Sequence, residues 1–196
     1  MNNPISWQHL VLQSIKQPKE AAEYVLSWRL SNEVLWPALA LVAVVNAILS
    51  TLSNFVVPVP DALNGLMISP AIFAIIVAVV LIASTYMLTW MGGLLGGTGR
   101  FQDMLALLIW LQVLRALAQV ILLFLLMTMP VVATFFVLFV SFATLWIFVN
   151  FVQIGLGLNS MGQAVAVVIG AAAGLVIGLS LILSLLGVSV GIPANV

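Results

Sequence analysis

Arg115 is the residue of this chain with the widest chemical reach in the most costly position. Gln112 lies three residues before it and Gln119 four residues after it, which puts all three on one arc of a helix, about 100° wide. A guanidinium offers planar N–H donors that match carboxylate or phosphate oxygens. It stands about 18 Å into an apolar helix at 1.5 Å per residue, where translocon scales charge roughly 2.5–3.5 kcal/mol for an arginine. Asn46, in a row with Ser50 and Asn54, and Asn150 with Gln153 add polar side chains in other apolar stretches. Polar groups left unpaired in hydrocarbon are expensive, so Asn46, Gln112, Arg115, Gln119, Asn150 and Gln153 are expected to turn inward as an intramembrane polar cluster. Two chemistries are open to it. The guanidinium can lock the bundle through the surrounding amides, or it can attract an anionic ligand such as a lipid phosphate.

Other groupings offer less. The run Gly92 to Gly99 invites a phosphate-loop reading, but the lysine and following hydroxyl residue of a nucleotide loop are missing and no strand precedes it. A helix end with glycines in the left-handed conformation explains it better. His9 is the only histidine, and Glu20, Glu23, Glu33, Asp61 and Asp103 all fall outside the apolar stretches. No nucleophile–base pair or metal-ligand spacing can be assembled, so no catalytic residue, metal or cofactor is expected and the chain reads as a non-enzyme.

The elements that hold these residues follow from composition. Apolar residues make up 64% of the chain and charged ones 5%, against roughly 25% charged in soluble domains. Most of the outer surface must therefore face lipid. A net charge of zero argues against a nucleic-acid partner, and the absence of cysteine excludes disulfides and thiolate chemistry. The first 33 residues lack the short apolar core and small-residue cleavage site of a signal peptide.

The fold expected is all-α, a polytopic bundle of five spanning helices behind an amino-terminal amphipathic segment. The segment, residues 1–33, divides at Pro18. Trp7, Leu10, Val11 and Ile15 repeat at helical spacing before it, and Ala21, Tyr24, Val25 and Trp28 after it. A short amphipathic pair with tryptophans suits the headgroup plane; docking on the cytoplasmic face of the bundle is the alternative. The membrane domain, 34–196, holds apolar stretches at about 34–57, 70–96, 103–128, 131–157 and 163–187, each long enough to span. Two prolines and an Asn64-Gly65 turn separate the first two. Pro130 joins the third and fourth as a tight antiparallel hairpin.

Two rows of small residues predict close helix packing. Gly162, Ala166, Gly170, Gly174 and Gly178 recur every four residues in span five, and Thr85, Thr89, Gly93 and Gly97 in span two. Gly170, Gly174 and Gly178 are expected to meet a neighbouring helix, in this copy or another. Lys16, Lys19, Arg29 and Arg100 all fall on one side of a five-span layout. The positive-inside rule then puts the amino terminus in the cytoplasm and the carboxyl terminus outside, in an inner (plasma) membrane.

The amino-terminal segment, the Gly96-Gly97-Thr98-Gly99-Arg100-Phe101 turn after span two and the tightly joined third and fourth spans together resemble the Yip family. Those are five-span membrane proteins whose eukaryotic members interact with Ypt/Rab GTPases, and the short leading segment is similar to the bacterial branch. The resemblance implies a non-enzymatic scaffold or modulator of other membrane components, with a membrane-protein partner or a homo-oligomer as its company. A small transporter or lipid-handling protein with a polar cavity around Arg115 is the other function the residues allow.

Overall fold

The computed structural model describes residues 6–56 and 69–185, without the side chains of residues 182, 183 and 185. The Asn64-Gly65 turn, its prolines and the far ends of the first and last expected spans lie outside the described residues. Seven helices are described, with no strand among those residues: α1 Trp7–Lys16, α2 Pro18–Ser27, α3 Asn32–Val56, α4 Pro70–Leu94, α5 Phe101–Thr128, α6 Pro130–Gly155 and α7 Met161–Leu185. The last five are long and apolar enough to cross a membrane. The protein is a multi-pass helical bundle.

Local chemistry sets the helix starts. Pro18, Pro70 and Pro130 each occupy the first turn of their helix, where a missing amide hydrogen costs nothing. The side chains of Ser6 and Ser69 accept from the His9 and Ile72 amides as N-caps. The start of α7 is a reciprocal capping box: the Gln163 amide donates to Ser160 Oγ at 3.2 Å, and the Ser160 amide to Gln163 Oε1 at 3.3 Å. Pro37 lies inside α3, beyond its first turn. The helix begins earlier than hydropathy suggests, with the Val34 and Leu35 amides both bonded to the Ser31 carbonyl.

The helix stops are as specific. In α4, Gly96 takes φ +85°, the Gly97 amide reaches back to the Gly92 carbonyl at 2.8 Å, and the Gly96 amide to Gly93 at 3.3 Å. In α6, Gly157 takes φ +64°, Leu158 bonds to Gln153 at 2.9 Å, and Gly157 to Ile154 at 3.1 Å. Both are Schellman ends with a left-handed glycine. They close α4 and α6 two residues short of the expected ends at 96 and 157.

Packing is uneven along the bundle axis. Met104 to Leu111 of α5 are all buried, and a helix apolar and buried all round belongs at a centre. Leu10, Val25, Leu35, Leu88, Phe151, Val152, Leu156 and Val167 join the same core. This core lies at the end of the bundle that carries Arg29 and Arg100. Towards the other end the helices present large apolar side chains outward, Phe124 and Met127 from α5 and Val131, Phe135 and Phe142 from α6 among them. These are surfaces for lipid.

The amphipathic pair docks on the bundle. Leu10, Ser14, Ala21, Ala22 and Val25 are buried, and α2 packs on α5 and α6. Trp7, Leu12 and Ile15 keep exposed apolar area.

Candidate functional site

The residues expected to form one polar cluster occupy separate environments. Arg115 faces outward from α5, and its Nη1 donates to Gln112 Oε1 at 3.2 Å. It lines a cleft of about 180 Å³ with Gln119 of the same helix and Phe136, Val137, Val140 and Ser141 of α6. Gln119 Nε2 donates to Ser53 Oγ of α3 at 2.9 Å, joining those two helices. Asn150 is only 1% exposed, in the tightly packed end of α6, and Gln153 beside it keeps a buried Oε1 without a hydrogen-bond partner.

The reason for the dispersal is local satisfaction. Asn46 Nδ2 donates to the Val42 carbonyl and Asn150 Nδ2 to the Trp146 carbonyl, each at 2.8 Å. Ser53, Thr85 and Thr89 bond to the carbonyls four residues back in the same way. A polar group bonded within its own helix has no need to converge on one across the bundle. The inward turn expected of Arg115 is therefore not what the fold adopts.

The small-residue row of α7 divides. A Cβ at Gly170 would strike Met91 Cε of α4, and one at Gly174 would lie 3.0 Å from Met87 Sδ, whereas one at Gly178 would meet nothing within 4 Å. Two of the three glycines thus mark a close α4–α7 contact, and Gly178 lies beyond it.

Among the described glycines, the closest approach to another backbone lies elsewhere, where the two Schellman ends meet. The amides of Thr98 and Gly99 both donate to the Leu156 carbonyl, at 2.9 and 3.2 Å. A Cβ at Gly97 would lie 2.8 Å from that same oxygen. The glycine turn therefore fastens the α4–α5 connection to the end of α6. The closing turn of α6 holds its own glycines in Gly155 and Gly157, the latter beside Thr98 Oγ1.

That joint lies within a longer match. A family model described as the Yip1 domain matches residues 12–183. The chain belongs to the Yip family. No curated protein and no solved structure matches it. The matched span begins inside α1, so the docked amphipathic pair falls largely within the Yip domain.

Sequence reading missed the polar and aromatic contacts that seat this pair. Trp110 Nε1, in the buried stretch of α5, donates to Ser14 Oγ at 3.0 Å, and Ser14 Oγ donates in turn to the Leu10 carbonyl at 2.8 Å. Trp7 and Trp28 pack on Trp110 at centroid distances of 5.7 and 6.2 Å. Ser14 gave no signal beyond falling one turn after Leu10 on the apolar face of α1. Among the described residues, no three His, Asp or Glu side chains gather into a metal-holding group.

Proposed function

We propose that this Yip-family protein is a non-enzymatic scaffold or modulator that engages another membrane protein through the outer α5–α6 surface around Arg115. The outward Arg115 carries this reading. It lies midway along a spanning helix, where among the described residues Gln112 is its hydrogen-bond partner, and the acidic residues of the spanning helices, Glu33 and Asp103, stand in first turns at the basic end. A guanidinium facing hydrocarbon is costly, and a partner helix bearing a carboxylate at that depth would offset the cost. A second copy has no mid-span carboxylate to offer, which favours a different partner over a homo-oligomer. Transport has less support, because among the described residues the cleft at Arg115 is lined by α5 and α6 alone.

The distribution of Lys16, Lys19, Arg29 and Arg100 favours a cytoplasmic basic end by the positive-inside rule, in an inner (plasma) membrane. The experiment is photo-crosslinking from Ser141, followed by affinity purification in mild detergent. An adduct to one reproducible membrane protein is the expected result. Adducts to lipid alone, with a monomer recovered in several detergents, would overturn it.

A further inference from the structure

A second cleft, of about 700 Å³, opens at the basic end between the α2–α3 joint and the start of α5. Arg29, Ser31, Asn32, Arg100, Gln102 and Asp103 line it, with Leu26 and Leu30 on its apolar side. Gln102 Nε2 donates to Asn32 Oδ1 at 2.9 Å and ties the first turns of α3 and α5 together along one wall.

The charges in this cleft do not cancel. Arg100 Nε and Nη2 donate to Asp103 Oδ2 and Oδ1, at 3.1 and 3.3 Å, so one cation occupies both carboxylate oxygens. A guanidinium has five N–H donors, and the remaining ones of Arg100 are left for a ligand. Asp103 raises the affinity of Arg100 for its proton, first through the side-chain hydrogen bond and then through its charge, so Arg100 stays cationic at any physiological pH. Arg29 is exposed, and no carboxylate pairs with it among the described residues. It is held at φ +44°, a left-handed conformation in which glycine or asparagine is the usual residue. The long helix α5 starts at this cleft without a side-chain cap, so its first amides are also open to an acceptor.

We propose that this cleft binds an anionic phosphate group, with Arg29 as the unmatched cation, Arg100 as the oriented donor and the first amides of α5 completing the cradle. Its place along the bundle fits the headgroup of an anionic phospholipid. Trp28 adjoins Arg29 in sequence and packs against Trp7 and Trp110, and tryptophans favour the headgroup level. Leu26 and Leu30 offer apolar contact beside the charges. This inference is independent of any partner at Arg115, which lies on the outer α5–α6 surface.

The test is native mass spectrometry of the full chain released from mixed micelles of phosphatidylglycerol and phosphatidylcholine. The parent should retain phosphatidylglycerol preferentially. Arg29→Asn, which tolerates the left-handed backbone and so keeps the fold, should lose that preference by about tenfold, as should Arg100→Gln. Lys19→Gln, outside the cleft, should behave as the parent. Inorganic phosphate provides the second arm. Arg29-dependent displacement of phosphatidylglycerol by millimolar phosphate would support binding of the phosphate group from a soluble source as well. Arg29-dependent lipid retention that phosphate does not displace would support a headgroup site. An unaltered preference in Arg29→Asn would overturn the proposal.

Discussion

The Gly99 amide donates to the Leu156 carbonyl at 3.2 Å, and Gly99 lies so close to α6 that a Cβ would strike the Gly155 carbonyl oxygen. The same Cβ would stand 2.5 Å from Leu156 Cα. The obstacle is backbone on both sides, so no rotamer change can relieve it. The turn between α4 and α5 and the end of α6 thus form one rigid joint, and glycine is the residue that lets it close.

Gly99→Ala is therefore expected to destabilise the protein by at least about 1–3 kcal/mol, the usual range for an overpacked contact. Gly93→Ala supplies the contrast. A Cβ at Gly93 would meet nothing within 4 Å, and alanine is favoured over glycine in a helix by roughly 1 kcal/mol. Thermal unfolding in detergent should show Gly99→Ala melting well below the parent and Gly93→Ala at or above it. Equal melting of the two variants would mean that the joint has slack.

The second expectation concerns the seat of the amphipathic pair. Trp110 Nε1 finds its acceptor in Ser14 Oγ, and both residues are buried. Ser14→Ala leaves an indole N–H without a partner away from water, at a cost of about 1–3 kcal/mol. Trp110→Phe removes the donor, so adding Ser14→Ala to it should cost much less than Ser14→Ala alone. A double-mutant cycle read by unfolding measures this coupling. Additive losses would show that the hydrogen bond contributes nothing.

Spanning helices were legible because lipid imposes one simple requirement, about 20 apolar residues in a row. Helix ends were partly legible. Pro18, Pro70 and Pro130 carry their own backbone restriction wherever they stand, and glycine runs announce a stop. The site was less so. Periodicity places Gln112, Arg115 and Gln119 on one arc but says nothing of whether that arc faces a neighbour or the lipid. Likewise, a run such as Gly96-Gly97-Thr98-Gly99 signals a helix end, whereas its union with Gly155-Leu156-Gly157 is a contact between distant stretches. The Arg29–Arg100 cleft has the same character.

The α7 row offers a graded test of how far helix contact extends. Gly174 faces Met87 of α4, and Gly178 faces open space. Gly174→Leu is expected to cost about 1–3 kcal/mol, with the flexibility of methionine holding it towards the lower figure. Gly178→Leu should be nearly neutral, as should Leu181→Ile on the exposed side of the helix. Melting of these three variants beside the parent decides it. A loss at Gly178 as large as at Gly174 would place a further contact, from another copy or another chain, against the outer half of α7.

Arg115 separates a lock within the bundle from a surface for a partner. A guanidinium that holds helices together is costly to remove, because its acceptors are left unpaired. Among the described residues, the acceptor bonded to Arg115 is Gln112 Oε1, on its own helix, so little of the bundle depends on it. Replacing an outward arginine by leucine also removes a charge that costs roughly 2.5–3.5 kcal/mol at the centre of a spanning helix. Arg115→Leu is therefore expected to leave the melting temperature of the isolated protein unchanged or raised. The same variant should lose the partner captured by crosslinking from Ser141, while Arg115→Lys keeps a weakened adduct through its charge. If Arg115→Leu instead melts well below the parent and its adducts are unaltered, the arginine serves the bundle and not a partner.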